Sequence, residues 1–204
     1  MIVIIDYGMG NLGSILNMLK KIGAEAIISS NITEIEKAKK LILPGVGAFD
    51  SGMKNIMGLG LVSVLNERVL RGKIPLLGIC LGMQLLTRRS EEGTLQGLGW
   101  FDADTLKFKF DKVQNGLRIP HMGWNYINVE KKHSLLNDLG ENPRFYFVHS
   151  YHVVCDKVED ILATTSYGYD FTSAIIRDNI FGVQFHPEKS HKYGMKLLKN
   201  FIEL

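Results

Sequence analysis

Ile74-Pro-Leu-Leu-Gly-Ile-Cys-Leu-Gly-Met-Gln84 contains the most informative turn in this sequence. The apolar run from Pro75 to Ile79 predicts a buried strand, and Cys80 follows it directly. Gly78 and Gly82 flank the cysteine and form the pattern G-x-C-x-G. This pattern is typical of a nucleophile elbow, where small neighbours let the chain fold back and place a reactive side chain at the carboxyl end of a strand. We expect a helix to begin after Cys80 and its N-terminus to favour the thiolate.

Strands and helical segments alternate through the first half of the chain. Apolar runs predict strands at 1–6, 26–29 and 40–43, and helical spacing predicts helices at 11–21 and 61–70. Thr33 is the expected cap of another short helix. This alternation indicates βαβ units and a mostly parallel sheet.

The second half predicts strands without intervening helices, at 98–110, 124–129, 144–148, 151–154, 161–165, 172–176 and 180–184. A last helix is expected at about 190–202. We therefore predict an α/β fold in a single domain over residues 1–204, with a central, mostly parallel sheet and an antiparallel extension from the second half.

Composition excludes several classes of function. The 204 residues are 46% hydrophobic and 22% charged, which is ordinary for a globular domain. The net charge of +3 is too small to imply a nucleic-acid partner, and no apolar run approaches the length of a membrane span. Cys80 and Cys155 are too few for a disulfide scaffold, and the first residues lack the basic lead of a signal peptide. We expect a cytoplasmic protein that binds neither nucleic acid nor membrane.

Gly8-Met-Gly-Asn-Leu-Gly13 matches the dinucleotide-binding pattern G-x-G-x-x-G between a predicted strand and helix. That fingerprint also needs an acidic residue about 20 positions further on, to bind the ribose. The corresponding residues, 28–31, are Ile-Ser-Ser-Asn. We therefore interpret the stretch as a tight turn and as a candidate contact with a partner, and expect no nucleotide cofactor.

A second glycine-rich loop, Leu43-Pro-Gly-Val-Gly-Ala-Phe49, also follows a predicted strand and so ends at the same sheet edge as Cys80. Gly45 and Gly47 flank Val46 and leave backbone N–H groups free to point at a ligand. Beside a nucleophilic cysteine, these groups are candidate oxyanion donors.

Phe181-Gly-Val-Gln-Phe-His-Pro-Glu188 supplies a base and an orienting group. A predicted strand leads to His186, Pro187 interrupts it, and Glu188 follows close enough to hold the imidazole ring. The chain order Cys, His, Glu fits the arrangement of nucleophile, base and orienter.

Other histidines have weaker assignments. His149 and His152 flank Ser150 and Tyr151 and are expected to line a pocket, whereas His121 lies in a predicted rigid loop. No spacing of His, Cys and Asp predicts a tetrahedral metal site.

Three motifs in combination resemble those of the class I, or triad, glutamine amidotransferases: Pro44-Gly-Val-Gly47, Gly78-Ile-Cys-Leu-Gly-Met-Gln84 and His186-Pro-Glu188. Further stretches are similar to the glutaminase subunits of imidazole glycerol phosphate synthases: Asp6-Tyr-Gly-Met-Gly-Asn-Leu12, Pro120-His-Met-Gly-Trp-Asn125 and Tyr146-Phe-Val-His-Ser-Tyr151. The similarity spans nearly the whole chain and implies the flavodoxin-like three-layer fold of that family.

The resemblance implies that Cys80 attacks the side-chain amide of L-glutamine, that His186 carries the proton to the leaving ammonia and that Glu188 orients His186. A γ-glutamyl thioester would form and then be hydrolysed to glutamate. The N–H groups of Val46 and Leu81 would hold the oxyanion.

Gln84 and Glu92 would bind the glutamine head group, and a carboxylate at Glu92 suits an α-ammonium. The other residues expected to line this site are Gly45, His149, Ser150 and Tyr151.

Ammonia must be kept from water, and the resemblance implies that a (βα)₈-barrel cyclase subunit docks over the glutaminase site as its partner. The ammonia would pass through the barrel to a phosphoribulosyl formimino-carboxamide nucleotide, giving imidazole glycerol phosphate and an aminoimidazole carboxamide nucleotide. The residues expected to face the barrel are Gly10, Asn11, His121, Met122, Trp124 and Asn125. Alone, the chain should be slow, because the Val46 N–H points away until the partner shifts the 44–47 loop, and the flanking glycines make that peptide flip inexpensive.

Alternatives remain open at this point. Paralogous glutaminase subunits feed ammonia to other acceptors, such as sugars of surface polysaccharides, and the stretches 98–104 and 190–195 depart from the usual histidine-pathway pattern. Other classes are a stand-alone cysteine hydrolase acting on peptides or γ-glutamyl compounds, and a non-catalytic binding subunit. The complete set of Cys80, His186 and Glu188 argues against the last.

Overall fold

The computed structural model describes residues 1–110 and 116–204. Its strands are β1 (Ile2–Ile5), β2 (Ala26–Ser29), β3 (Lys40–Leu43), β4 (Leu76–Ile79), β5 (Arg89–Ser90), β6 (Ala103–Lys107), β7 (His121–Tyr126), β8 (Asn128–Val129), β9 (Arg144–His149), β10 (Tyr151–Cys155), β11 (Ile161–Tyr167), β12 (Tyr169–Arg177) and β13 (Ile180–Val183). Its α-helices are α1 (Leu12–Lys21), α2 (Ile32–Lys37), α3 (Phe49–Gly58), α4 (Leu61–Leu65), α5 (Leu81–Gln84) and α6 (His191–Glu203). A π-helical segment, Asn66–Arg71, continues α4.

One large mixed sheet has the strand order β2-β1-β3-β4-β13-β12-β10-β6-β5. The strands from β2 to β13 in this order pair in parallel. From β13 onward, β12, β10 and β6 are antiparallel neighbours, and β11 and β8 extend from β12. A separate antiparallel pair is formed by β7 and β9. The prediction of a mostly parallel sheet with an antiparallel extension is therefore confirmed.

The central strands are buried on both faces, because successive side chains of a strand point to opposite sides. In β1, Ile2 and Ile4 join one apolar cluster and Val3 and Ile5 join the other. Side chains of α1 and α6 cover the first face, and those of α3 and α4 cover the second. This is the expected three-layer arrangement.

Parallel pairing has a direct consequence for function. The strands β1, β3, β4 and β13 all run the same way, so the residues that follow them meet at one edge of the sheet. The first residues after these strands are Asp6, Pro44, Cys80 and Gln184, in that order.

Several local predictions were wrong. Asn31, not Thr33, caps α2, because the Asn31 side-chain oxygen accepts hydrogen bonds from the N–H groups of Thr33 and Glu34. The strand expected at 98–110 is shortened to β6, since residues before it bond elsewhere: the Leu98 N–H donates to the Leu85 carbonyl at 2.8 Å.

The predicted loop at 120–125 is instead the strand β7, which pairs with β9. Helix α3 was not predicted; two glycines, Gly52 and Gly58, weaken its helical pattern. Within residues 1–110 and 116–204, no helix combines the length and apolar character that crossing a membrane requires.

Candidate active site

Cys80 adopts the strained backbone conformation expected of a nucleophile elbow, with φ 52° and ψ −108°. The flanking glycines are required sterically. A Cβ at Gly82 would lie 1.8 Å from the Leu43 carbonyl oxygen, and one at Gly78 would lie 2.8 Å from the Gly82 carbonyl oxygen. A helix begins directly after Cys80, as predicted, and this helix, α5, has 4 residues.

His186 and Glu188 form a buried pair beside the end of β13. The His186 Nδ1 lies 2.8 Å from Glu188 Oε1, and each side chain is 1% exposed. The backbone is held as well, because the His186 N–H donates to the Tyr146 carbonyl at 2.9 Å and the Ser190 hydroxyl donates to the His186 carbonyl at 2.6 Å. This geometry fixes the orientation of the imidazole ring, because Glu188 engages Nδ1 and leaves the other ring nitrogen, Nε2, available to a ligand.

The charge state of His186 is set by opposing effects. Burial alone would lower its pKa, but the interactions with Cys80 and Glu188 outweigh burial and raise the pKa to about 10. Its Nε2 has no hydrogen-bond partner within the described ranges. The arrangement favours an imidazolium next to the cysteine sulfur, with a ring nitrogen free to pass a proton to a ligand.

A cavity of about 480 Å³ opens in front of Cys80. Its walls include most of the predicted glutamine-binding residues: Gln84, Glu92, His149, Ser150 and Tyr151. Glu92 is fixed at one oxygen, because Oε2 accepts a hydrogen bond of 2.8 Å from the Phe49 N–H at the start of α3. Gly45 lies beside this cavity rather than in its wall; a Cβ there would be 2.5 Å from the Tyr7 hydroxyl and 2.8 Å from Leu81 Cβ.

The predicted oxyanion donors are not all free in this conformation. The Leu81 N–H donates to the Gly45 carbonyl at 3.3 Å. The Tyr7 hydroxyl donates to the Pro44 carbonyl at 2.5 Å and so anchors the loop at its first residue. Val46 and Gly47 line the cavity, and Gly47 has a φ of 108°, which favours glycine.

The two glycine-rich loops pack against each other, as their shared sheet edge predicts. A Cβ at Gly10 would lie 3.0 Å from Pro44 Cβ, and one at Gly47 would lie 2.8 Å from Met9 Cε. Asn11 precedes α1 and is half-buried. A displacement of the 8–11 loop therefore reaches the 44–47 loop directly.

Four of the residues predicted to face a partner lie on β7, and they divide between its two sides. Met122 and Trp124 are 61% and 41% exposed. His121 is 3% exposed and points into the protein, so it is not available to a docked partner. This part of the prediction was wrong because a loop was expected where the alternation of a strand turns His121 inward. Asn125 is half-buried.

Sequence reasoning missed Gln184, which is fully buried and donates from Nε2 to the Cys80 Sγ at 3.6 Å. A polar residue inside the apolar run before His186 was the available signal. His152 was expected to line a pocket but is directed away from the cavity and bonds to the Tyr169 hydroxyl at 2.8 Å. The described part of the chain contains no group of three or more His, Cys, Asp or Glu side chains arranged to hold a metal ion.

Comparison with known proteins decides the family. The family model for class-I glutamine amidotransferases matches residues 3–204. The chain belongs to the class-I glutamine amidotransferases. The predicted fold class and the prediction of an enzyme of this type are thereby confirmed.

Curated relatives of this amidotransferase match it from end to end. "Imidazole glycerol phosphate synthase subunit HisH 2" of Methanococcus maripaludis is 61% identical over 100% of this chain and 99% of the relative. The protein of the same name from Pseudomonas aeruginosa is 53% identical over 100% of both chains. "Imidazole glycerol phosphate synthase subunit HisH" of Leptospira borgpetersenii is 47% identical over 100% of both chains. The resemblance to this group of glutaminase subunits is therefore confirmed.

Solved structures agree on the fold. A crystal structure of a glutamine amidotransferase superposes with a TM-score of 0.72 at 22% identity, over 98% of this chain and 97% of that one. A glutamine amidotransferase from Thermotoga maritima gives a TM-score of 0.67 at 18% identity, over 99% and 80% of the two chains.

Proposed function

We propose that this chain hydrolyses L-glutamine through a thioester on Cys80 and delivers the ammonia to a (βα)₈-barrel cyclase subunit in a heterodimer. The partner would use the ammonia to form imidazole glycerol phosphate and an aminoimidazole carboxamide ribonucleotide, in the histidine pathway of the cytoplasm. The observation that carries the proposal is that Cys80, which lines the 480 Å³ cavity, interacts with the buried His186–Glu188 pair. The identity to synthase subunits over the whole chain supports the choice of pathway.

The first half of the reaction forms the thioester. The Cys80 thiolate attacks the side-chain carbonyl carbon of glutamine and forms a C–S bond. His186, held by Glu188, gives its Nε2 proton to the amide nitrogen, the C–N bond breaks and ammonia leaves. His186 is then neutral and removes a proton from water, whose oxygen attacks the thioester. The C–S bond breaks, glutamate leaves and the thiolate–imidazolium pair is restored.

Glutamine would be oriented by the walls of the cavity. The other carboxylate oxygen of Glu92 suits the α-ammonium group, and the backbone at Ser150 and Tyr151 suits the remaining polar groups. Gln84 sits beside them with its amide directed at the Tyr151 carbonyl, at 3.1 Å. No cofactor or metal takes part in this scheme.

The conformation of the 44–47 loop fits a glutaminase that is slow on its own. The Leu81 N–H is engaged by the Gly45 carbonyl, so one proposed oxyanion donor is occupied. Activation would turn that carbonyl away and present the N–H groups of Val46 and Leu81, each contributing about 3–4 kcal/mol to the transition state if it acts like other oxyanion donors. The glycine at 47 permits such a rotation, and its contact with Met9 links it to the 8–11 loop.

The proposed docking face comprises Gly10, Asn11, Met122, Trp124 and the outward side of Tyr126. Large apolar side chains are exposed together there, which is typical of an interaction site. Trp124 is also braced by His191, whose ring stacks on it at 5.5 Å. A barrel docked on this face would cover the mouth of the cavity and keep ammonia from water.

A second candidate is a paralogous subunit that supplies ammonia for the amidation of a surface-polysaccharide sugar. The relatives from Methanococcus maripaludis and Pseudomonas aeruginosa both have the number 2 in their names. A numbered additional copy is the kind of protein that can acquire another acceptor. The Cys80 chemistry is the same in both candidates.

The test is glutamate formation by the purified chain with a histidine-pathway cyclase, with and without the phosphoribulosyl formimino-carboxamide nucleotide. Strong stimulation by partner and nucleotide together supports the synthase assignment. Low activity throughout points to another acceptor enzyme. Full activity of the isolated chain would contradict the proposal that a partner moves the 44–47 loop, and would favour a stand-alone hydrolase. Complete inactivity with every acceptor enzyme would favour a binding subunit.

A further inference from the structure

A line of buried polar groups leads away from the nucleophile. Gln184 donates from Nε2 to the Cys80 Sγ at 3.6 Å. Its Oε1 accepts a hydrogen bond of 3.1 Å from Gln84 Nε2. The same nitrogen of Gln84 donates to the Tyr151 carbonyl at 3.1 Å. The nucleophile is thus connected to the start of β10 through two amide side chains.

The line continues from that carbonyl to β7. The Tyr151 carbonyl is 2.8 Å from His149 Nδ1, and His149 Nε2 is 3.0 Å from His121 Nδ1. The other nitrogen of His121 is 3.2 Å from Asn125 Nδ2. Both histidines are buried. A hydrogen-bonded path therefore runs from the inward side of β7 to Cys80.

The Tyr151 carbonyl determines the tautomers of both histidines. A carbonyl only accepts, so His149 Nδ1 must carry a proton. Burial keeps the pKa of His149 well below its usual value, so the ring is neutral and its Nε2 accepts from His121 Nδ1. Burial also lowers the pKa of His121 to about 4, so its Nε2 accepts in turn, here from the Asn125 amide. These tautomers are assigned from the network.

The same carbonyl determines the two glutamine amides. Gln84 must present its NH₂ group to the Tyr151 carbonyl, and its remaining N–H then points to the Gln184 oxygen. Gln184 is left with its own NH₂ group toward the sulfur. The reverse orientation of Gln184 would place two donors face to face and an oxygen against Sγ. One hydrogen-bonded arrangement therefore satisfies all the groups.

We propose that Gln184 stabilises the Cys80 thiolate through this N–H···S hydrogen bond, and that His121 and His149 are positioning residues that hold the Tyr151 carbonyl, on which the orientations of Gln84 and Gln184 depend. A hydrogen bond to the charged form of a group favours that form. Gln184 is then a catalytic residue, since it contacts the reacting sulfur. This role rests on Cys80 being the nucleophile of the proposed function, and it does not depend on which partner docks.

Other titratable groups also act on the sulfur and must stay constant in a test. His186 and Glu188 approach from the segment after β13, Tyr7 from the end of β1, and Glu92 faces the cavity that Cys80 lines. None of them is changed in the variants below, so a difference between variants reports on the path itself.

The experiment measures the rate of alkylation of Cys80 by iodoacetamide as a function of pH, in the full chain carrying Cys155→Ser, without glutamine or partner. Gln184→Met removes the donor and nearly conserves volume. We expect the midpoint of the profile of alkylation rate against pH to rise by about one pH unit. At pH values below the midpoints of both the parent and the variant, alkylation should then be about tenfold slower in the variant. A profile that superimposes on that of the parent would overturn the role of Gln184.

Two buried histidines provide a matched comparison. His121 and His152 both pack against the rings of Phe108 and Phe171, and burial lowers the pKa of each to about 4. His152 bonds to the Tyr169 hydroxyl and lies outside the path. His121→Phe should raise the Cys80 midpoint, and His152→Phe should leave it in place. Equal shifts, or none in either variant, would overturn the positioning role.

A measurement on the unsubstituted chain keeps the proposal testable if a variant fails to fold. Nitrogen-15 NMR of the imidazole rings should show His121 and His149 protonated at Nδ1 alone, without titration between about pH 5 and 8. Protonation at Nε2, or titration of either ring in that range, would contradict the network. Because neither readout needs glutamine turnover, failure here leaves the proposed glutaminase standing, and failure of the proposed function leaves the alkylation result unaffected.

Discussion

Replacing Glu188 by glutamine isolates the contribution of the buried carboxylate to the His186 ring. The two side chains are 1% exposed and 2.8 Å apart, so solvent does not screen the pair. The substitution keeps shape and removes charge. It should lower the pKa of His186, which the carboxylate and the sulfur now hold above its ordinary value.

The structure sets the expected size of the effect. A hydrogen bond to a charged group contributes about 1.5–3 kcal/mol, and this range corresponds to a loss of about 10- to 150-fold in kcat/KM. In serine-protease triads the corresponding amide costs about 10⁴-fold in kcat because the histidine adopts the wrong tautomer. Here Glu188 Oε2 has no hydrogen-bond partner in the described residues, so the amide can turn its oxygen toward Nδ1 without breaking another bond. We therefore expect the smaller loss.

The assay is glutamate release across pH, with the proposed cyclase partner and its nucleotide at saturation. The basic limb of the profile should move to lower pH in Glu188→Gln, because the imidazolium that protonates the leaving nitrogen is lost earlier. Glu67→Gln is the control, since that carboxylate lies on the surface in an ion pair with Arg71. A variant within twofold of the parent, with an unshifted basic limb, would refute the orienting role of Glu188.

The remaining predictions concern stability and the 44–47 loop. Burial lowers the pKa values of His121 and His152 to about 4, so the free energy of unfolding should decrease as the pH falls from 6.5 toward 4. Urea unfolding should show a loss of about 2 kcal/mol for each histidine at pH 5. A free energy of unfolding that is constant over this range would contradict the burial of neutral rings. Lys40→Met should lower the free energy of unfolding by about 1–2 kcal/mol, because the ammonium group donates hydrogen bonds of 3.0 and 2.7 Å to carbonyls in the last turn of α6. The control, Lys199→Met, removes an exposed lysine and should change the free energy of unfolding by less than about 0.5 kcal/mol. Equal effects of the two substitutions would contradict the capping role of Lys40. Gly47→Ala should reduce partner-stimulated turnover at least about tenfold by restricting the φ of 108°, while alkylation of the nucleophile stays near the parental rate; undiminished stimulation would show that this glycine is not needed for the loop to turn.

The sequence predicted those parts of the molecule in which local pattern and tertiary context agree. Both glycines beside Cys80 are needed for steric reasons that the motif encodes, and the strand-to-turn order of Pro44, Cys80 and His186 follows from parallel pairing. The prediction of a turn at Gly8 rather than a dinucleotide site rested on a single missing carboxylate, and the packing of that turn against Pro44 is consistent with it.

The remaining features depend on contacts between distant segments. His121 was assigned to a loop because its stretch contains a proline and a glycine, but pairing with β9 makes it a strand and turns the ring inward. Gln184 contacts Cys80 across 104 positions in sequence. The hydrogen bond from Leu81 to Gly45 depends on a peptide orientation that glycines leave undetermined. No local pattern encodes such contacts.

The central claim is that glutamine is attached to Cys80 during turnover, and rapid acid quench with mass spectrometry tests it most directly. The enzyme would be mixed with the proposed cyclase partner, its nucleotide, and glutamine that carries carbon-13 throughout and nitrogen-15 in the side-chain amide. We predict that the peptide containing Cys80 gains the labelled carbon skeleton without the amide nitrogen, and that the adduct is absent in Cys80→Ala. Turnover that persists in Cys80→Ala, or an active enzyme whose Cys80 peptide never carries the label, would contradict the account.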